Sequence, residues 1–382
     1  MRWFLPLMVT GGVAMSLTAP LEVVFAREYL RSGLLIGSFM LAAAAGMIVV
    51  DVFGTRFVPG LDARFALTVG LILFGVASIG MGLTTDRALL MASRVMQGVG
   101  AGTVLGAGLQ AAVRVRPVGV DLAHALGRFN AALLFGGAIG APGGLLAAGL
   151  IDGRLGYQTA FVVTGALTLV VAACLAIALP RLAPPANVSP PRLGLPRLIS
   201  TPANRAALVL AMSGDFLRGG VLLTALPLAG AARGYSILTI SIAIALMSGV
   251  EIVVLTIAYR FVRGDAVVSI LGASFGLGIV CAAMLALTSG EGMYLMASAL
   301  FGVSLAGATV SLPLLVVACV GESSAGLAQF RISAGVGFLA GSAGCAVLGA
   351  HVGSLVLFGF IALVLAASAL LTRIVGQRSI PT

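Results

Sequence analysis

Arg56-Phe57-Val58, followed by Gly60, Asp62 and Ala63, returns 204 positions later as Arg260-Phe261-Val262, followed by Gly264, Asp265 and Ala266. Both copies run straight into a long apolar stretch, so the chain reads as two copies of one unit. Composition says what kind of unit: 60% of the residues are hydrophobic, 9% are charged and 52 are glycine. The apolar runs are far longer than a soluble core uses. Each unit is therefore expected to be a bundle of membrane-crossing helices, and the fold all-α.

With roughly 20 apolar residues per crossing, spans are expected at residues 4–25, 33–53, 65–84, 88–112, 126–150, 158–180, 206–231, 236–259, 266–287, 293–319, 332–353 and 354–373. The first run follows directly on Met1-Arg2-Trp3 and has no small-residue cleavage site in a polar flank, so it reads as span one and not as a removable signal. Six spans fall in residues 1–180 and six in residues 206–382. Residues 181–205 carry Pro184, Pro185, Pro190, Pro191, Pro196 and Pro202 with Arg192 and Arg197, and read as the linker between two six-helix halves.

The net charge of +10 comes from arginine alone, since the chain has no lysine. In a soluble domain such a charge suggests nucleic acid. Here the arginines sit in short connectors, where they orient the spans, and no nucleic-acid partner is expected. With the amino terminus inside, the inner connectors hold Arg2, Arg56, Arg64, Arg114, Arg116, Arg128, the linker arginines, Arg260, Arg263, Arg331, Arg373 and Arg378. The outer ones hold Arg27, Arg31, Arg87, Arg154 and Arg233. This asymmetry predicts a multi-pass protein of the cytoplasmic membrane with both termini cytoplasmic. Six crossings then separate the two Arg-Phe-Val loops, so the halves are expected to be parallel repeats about an axis along the membrane normal.

Cys174, Cys281, Cys319 and Cys345 stand singly in apolar segments without metal-ligand spacing, and read as small packing residues. His124 and His351 fall at span ends or loops, where an interfacial role is the default. Neither a lysine-bearing phosphate loop, nor HExxH, nor a nucleophile elbow is present, so ATP-driven work and catalysis are not expected, and no cofactor or metal is implied.

Three local patterns add detail. Gly127, Gly136 and Gly140 precede Ala141-Pro142-Gly143-Gly144 in span five; repeated glycines let a second helix approach closely and the proline permits a bend. Arg94, Gln97, Gly98 and Gly100 follow one another in span four. The loop from Gly54 to Arg64 contains Arg56, Asp62 and Arg64, and its counterpart in the second half contains Arg260 and Asp265.

Six plus six spans, a basic linker and a loop repeated after spans two and eight resemble the major facilitator superfamily of secondary transporters over essentially the whole chain. The span-five glycines keep the gaps of that superfamily's antiporter motif, with the proline one place late and the final glycine pair one place early. Through them the chain is similar to the drug/proton antiporter branch. The span-four pattern matches the superfamily's arginine motif, while Val58 and Leu61 stand where its inner loop has aspartate and glycine. The resemblance implies alternating access, with a central cavity lined by spans one, two, four, five, seven, eight, ten and eleven.

Ionisable residues within spans are costly and mark candidate sites. Arg94 lies about two turns in from the outer end of span four and Glu22 close to the outer end of span one, so helical rise gives them compatible depths. By the resemblance Arg94 assists proton transfer; the residues alone allow equally a structural lock between spans one and four. In the second half Asp215 and Arg218 share a face of span seven, and Glu251 in span eight is expected at a similar depth. Low dielectric favours a neutral carboxyl and a nearby guanidinium an ionised one, so one acid can stay charged while another carries a proton. Asp215 and Arg218 are expected to pair. Glu251, with no basic residue one turn away in its own span, is the preferred titrating group.

These readings point to a monomeric secondary transporter whose partners are protons, a small-molecule substrate and the bilayer, most simply a proton-coupled exporter of hydrophobic or amphipathic compounds. A proton-coupled importer of a nutrient or metal complex, and a nontransporting membrane receptor, are the alternatives.

Overall fold

The computed structural model describes residues 3–30, 32–57, 61–115, 122–151, 153–182, 201–258, 266–287, 289–320 and 324–379. Among these, every regular element is helical. Twelve helices among the described residues are long and apolar enough to cross a membrane: Phe4–Leu30, Gly33–Val50, Ala63–Leu83, Arg87–Val115, Ala131–Gly149, Arg154–Ala178, Asn204–Ala232, Ile237–Ile257, Ala266–Leu287, Glu291–Val316, Ile332–His351 and Gly353–Val375. We number them as spans one to twelve. Their outward faces are apolar, with Ile177 85% and Leu363 68% exposed. Such surfaces are unfavourable in water and at home in hydrocarbon.

Contacts divide the chain into two compact units, Met1–Phe25 with Leu41–Pro191, and Ala26–Met40 with Arg192–Thr382. In the first, span one packs on span five, and span three on spans four and six. In the second, span seven packs on span eleven, and span nine on spans ten and twelve. One scheme is the other shifted by six spans, as an internal repeat requires.

The close approaches explain the glycine content. A Cβ on Gly136 would fall against the backbone of Val9 and Val13, on Gly140 against Val13, and on Gly144 against Leu17. Four-residue spacing puts all three on one face of span five, where they admit the backbone of span one. Gly337 and Gly341 of span eleven meet Met212, Phe216 and Gly220 of span seven in the same way. Gly98 of span four lies against Ala43 of span two. The packing series in span five is thus Gly136, Gly140 and Gly144. Gly143 faces open space and Pro142 sits inside a continuous helix. Gly127 is helical, with its surroundings outside the described residues. We predict that Gly140→Val lowers stability by about 1–3 kcal/mol through overpacking, whereas Gly143→Val is close to neutral. Thermal midpoints in detergent would separate the two.

Two spans depart from a plain helix. Span one runs on to Leu30 and is broken between Ser16 and Leu21, where a continuous helix over residues 4–25 was expected. Pro20 supplies the reason: it has no N–H and its ring crowds the carbonyl of Ser16. The break makes Glu22 a first-turn residue of the segment Leu21–Leu30, at the positive end of a helix. Span seven begins under the Thr201 cap, whose hydroxyl accepts from the Asn204 amide, and widens to π geometry from Leu217 to Ala225. Pro227 follows two residues later. A proline at that place obstructs the α-helical hydrogen bonds behind it, and the Gly219-Gly220 pair lets the widened turns sit on span eleven.

Candidate functional site

Among the described residues, each unit buries one ionic cluster within its spans, and the two differ in charge. In the first unit, Arg94 Nη1 meets Glu22 Oε1 at 2.5 Å, with 9% and 5% of the side chains exposed. Thr18 Oγ1 donates to the same carboxylate oxygen at 3.3 Å. Arg94 also donates to the Gln97 carbonyl, and Gln97 Nε2 donates to Ser78 Oγ at 3.1 Å. Ser78 Oγ in turn donates to the Phe74 carbonyl at 2.9 Å. Spans one, four and three are thereby joined by one chain of hydrogen bonds, and cation and anion balance.

In the second unit, Arg218 Nη2 meets Glu251 Oε1 at 2.5 Å, and Nη1 reaches Oε2 at 3.4 Å. Thr309 Oγ1 in span ten stands 3.1 Å from Glu251 Oε1 and 3.3 Å from Arg218 Nη2. Asp215 lies further off, 4.0 Å from Arg218 Nε, with 36% of its side chain exposed. Two carboxylates therefore share one guanidinium. With both ionised the cluster is one charge negative, and one proton makes it neutral.

Glu22 and Arg94 are brought together as their depths suggested, and Gln97 joins them. Glu22 lies about as many residues from Leu30 as Arg94 does from Arg87, so the longer span one improves the match in depth. Glu251 does have a basic partner, supplied by span seven, and it holds the two terminal nitrogens of Arg218. Asp215 keeps only the peripheral contact through Nε.

The residues that lead into span three have a structural task. Asp62 caps span three, accepting from the Arg64 amide at 2.8 Å and the Phe65 amide at 3.3 Å. Arg64 donates to the Leu179 carbonyl at 3.0 Å and Arg114 to the Leu182 carbonyl at 2.5 Å, so both satisfy carbonyls beyond the end of span six. Arg56 is helical with its side chain outside the described residues, as are Arg260 and Asp265 entirely.

Thr18, Ser78 and Thr309 were missed from sequence. Thr18 stands four residues before Glu22 and was legible as a helix neighbour. Ser78 and Thr309 reach their partners across 19 and 58 positions, where no local pattern points to them.

Known proteins resemble this chain at three levels. The family model described as Major Facilitator Superfamily matches residues 4–344. An uncharacterized MFS-type transporter of Mycobacterium tuberculosis is 34% identical over 146 residues, which cover 37% of this chain and only 24% of that relative. Among solved structures, the nucleoside transporter NupG superposes with a TM-score of 0.75 at 14% identity, covering 98% of this chain and 99% of that one. A bacterial homolog of the human lysosomal transporter Spinster does so at 0.75 and 11% identity, covering 98% and 96%. The human organic anion transporter MFSD10 reaches 0.66 at 14% identity, covering 97% of each chain. At those identities the solved structures speak for the fold alone. Twelve apolar spans in two six-helix schemes, together with a family match over most of the sequence, place the chain in the Major Facilitator Superfamily of membrane transporters.

Proposed function

We propose that this transporter is a proton-coupled exporter of small hydrophobic or amphipathic molecules, working by alternating access as a monomer in the cytoplasmic membrane, with both termini inside. The observation that carries the reading is the unequal charge count of the second-unit cluster: two carboxylates, one guanidinium. A buried excess charge is unstable in low dielectric and a proton relieves it. Binding and release of that proton thus change the electrostatic energy of the cluster in a way that solute binding can oppose. Asp215 is the group placed to exchange it, because Glu251 is held by Arg218 and Thr309.

The balanced Glu22–Arg94 cluster supports the complementary role of a lock between spans. Export is favoured over uptake by the span-five glycines, which resemble those of antiporters. Scarce polar side chains in the spans favour apolar solutes over sugars.

Inverted membrane vesicles from cells overproducing the protein test this directly. With the vesicle lumen made acidic, so that protons flow outward, at least one member of a hydrophobic compound panel should be taken up, and a protonophore should abolish the uptake. Solute movement indifferent to the gradient would contradict proton coupling. Uptake concentrated in right-side-out vesicles would instead identify an importer.

A further inference from the structure

We infer that Thr309 of span ten holds Glu251 as the fixed anion of the second-unit cluster and so leaves the exchangeable proton to Asp215; this rests on the proton site proposed above. A threonine hydroxyl has one proton to donate and lone pairs with which to accept. Arg218 Nη2, 3.3 Å away, has only protons to offer, so the oxygen accepts there. The hydroxyl proton is then turned to Glu251 Oε1 at 3.1 Å.

Glu251 consequently receives three hydrogen bonds, two from Arg218 and one from Thr309. This is a set of donors, which suits a carboxylate. A neutral carboxyl would have to place its own O–H, and within this set it could do so only if Thr309 turned its proton away. Asp215 faces no such restriction, with one contact at 4.0 Å and more than a third of its side chain open. Among the described residues, the charged groups that face one another are Asp215 and Arg218 from span seven and Glu251 from span eight; span ten brings the hydroxyl.

Thr309 is thus a positioning residue, and its hydroxyl decides which of two acids is protonated. Valine keeps the branched shape without the hydroxyl, while serine keeps the hydroxyl without the methyl group. Infrared difference titration of the protein in lipid nanodiscs, reading the C=O stretch of protonated carboxyls, needs no substrate. The wild type should show a titrating carboxyl band that is lost in Asp215→Asn. Thr309→Val should gain a second band, lost again when Glu251→Gln is added, and Thr309→Ser should return to the single band. Should Thr309→Val fail to assemble, Thr309→Ala carries the same expectation.

A Thr309→Val titration identical to wild type, with the Asp215 band in place, overturns the inference and leaves the proton site standing. A second band in Thr309→Ser as well as in Thr309→Val marks a packing role and also overturns it. A spectrum unaffected by Asp215→Asn removes the proton site, and the inference with it.

Discussion

Replacing Arg218 by leucine is expected to abolish gradient-driven transport and to lower stability by about 3–5 kcal/mol, the usual cost of breaking a buried ion pair from one side. Glu251 has 5% of its side chain exposed and would be left with the Thr309 hydroxyl alone, while Asp215 would lose its counter-ion. The two acids can escape part of the penalty by taking protons, so the deficit should shrink as pH falls and grow as it rises. Adding Glu251→Gln to Arg218→Leu removes the stranded charge and should recover much of the stability, without transport. Thermal midpoints in nanodiscs across a pH series would measure this. A single variant as stable as wild type at high pH would show that the cluster is not held by charge.

The first-unit cluster should answer differently. Arg94→Leu strands Glu22 and should also cost about 3–5 kcal/mol. The paired change Glu22→Gln with Arg94→Gln keeps hydrogen-bonding groups toward Thr18, Gln97 and Ser78 while deleting both charges, and should restore most of that stability. Because this cluster is neutral as it stands, the double variant should keep its proton-to-solute ratio. Thermal midpoints with simultaneous proton and solute fluxes would check both expectations; a folded double variant without proton coupling would move the proton site to the first unit.

How far these sites could be read in advance depended on geometry within a helix versus between helices. The twelve spans follow from the length of apolar runs, since hydrocarbon thickness sets the number of residues per crossing. Glu22 and Arg94 were paired through depth alone, which helical rise supplies. Arg218 was assigned to Asp215 because i and i+3 share a face, and that contact exists, but only at 4.0 Å. What periodicity does not contain is the rotation of span eight and span ten toward span seven. That rotation is decided by packing at particular residues, such as Gly302 against Met247, and by the π turns that begin at Leu217, the residue before Arg218. Glu251 therefore looked unpartnered, and Thr309 looked like one more hydroxyl in an apolar run. The break at residues 17–20 was signalled by Pro20, yet the surrounding hydropathy concealed it.

The measurement closest to the central claim is proton movement during solute exchange in proteoliposomes containing the Asp215→Asn variant. This substitution keeps the shape of the side chain and removes the exchangeable proton. The variant should still exchange solute for solute across the membrane, while solute flow no longer moves protons and a proton gradient no longer drives accumulation. Accumulation equal to wild type, with protons still moving alongside the solute, would contradict the account.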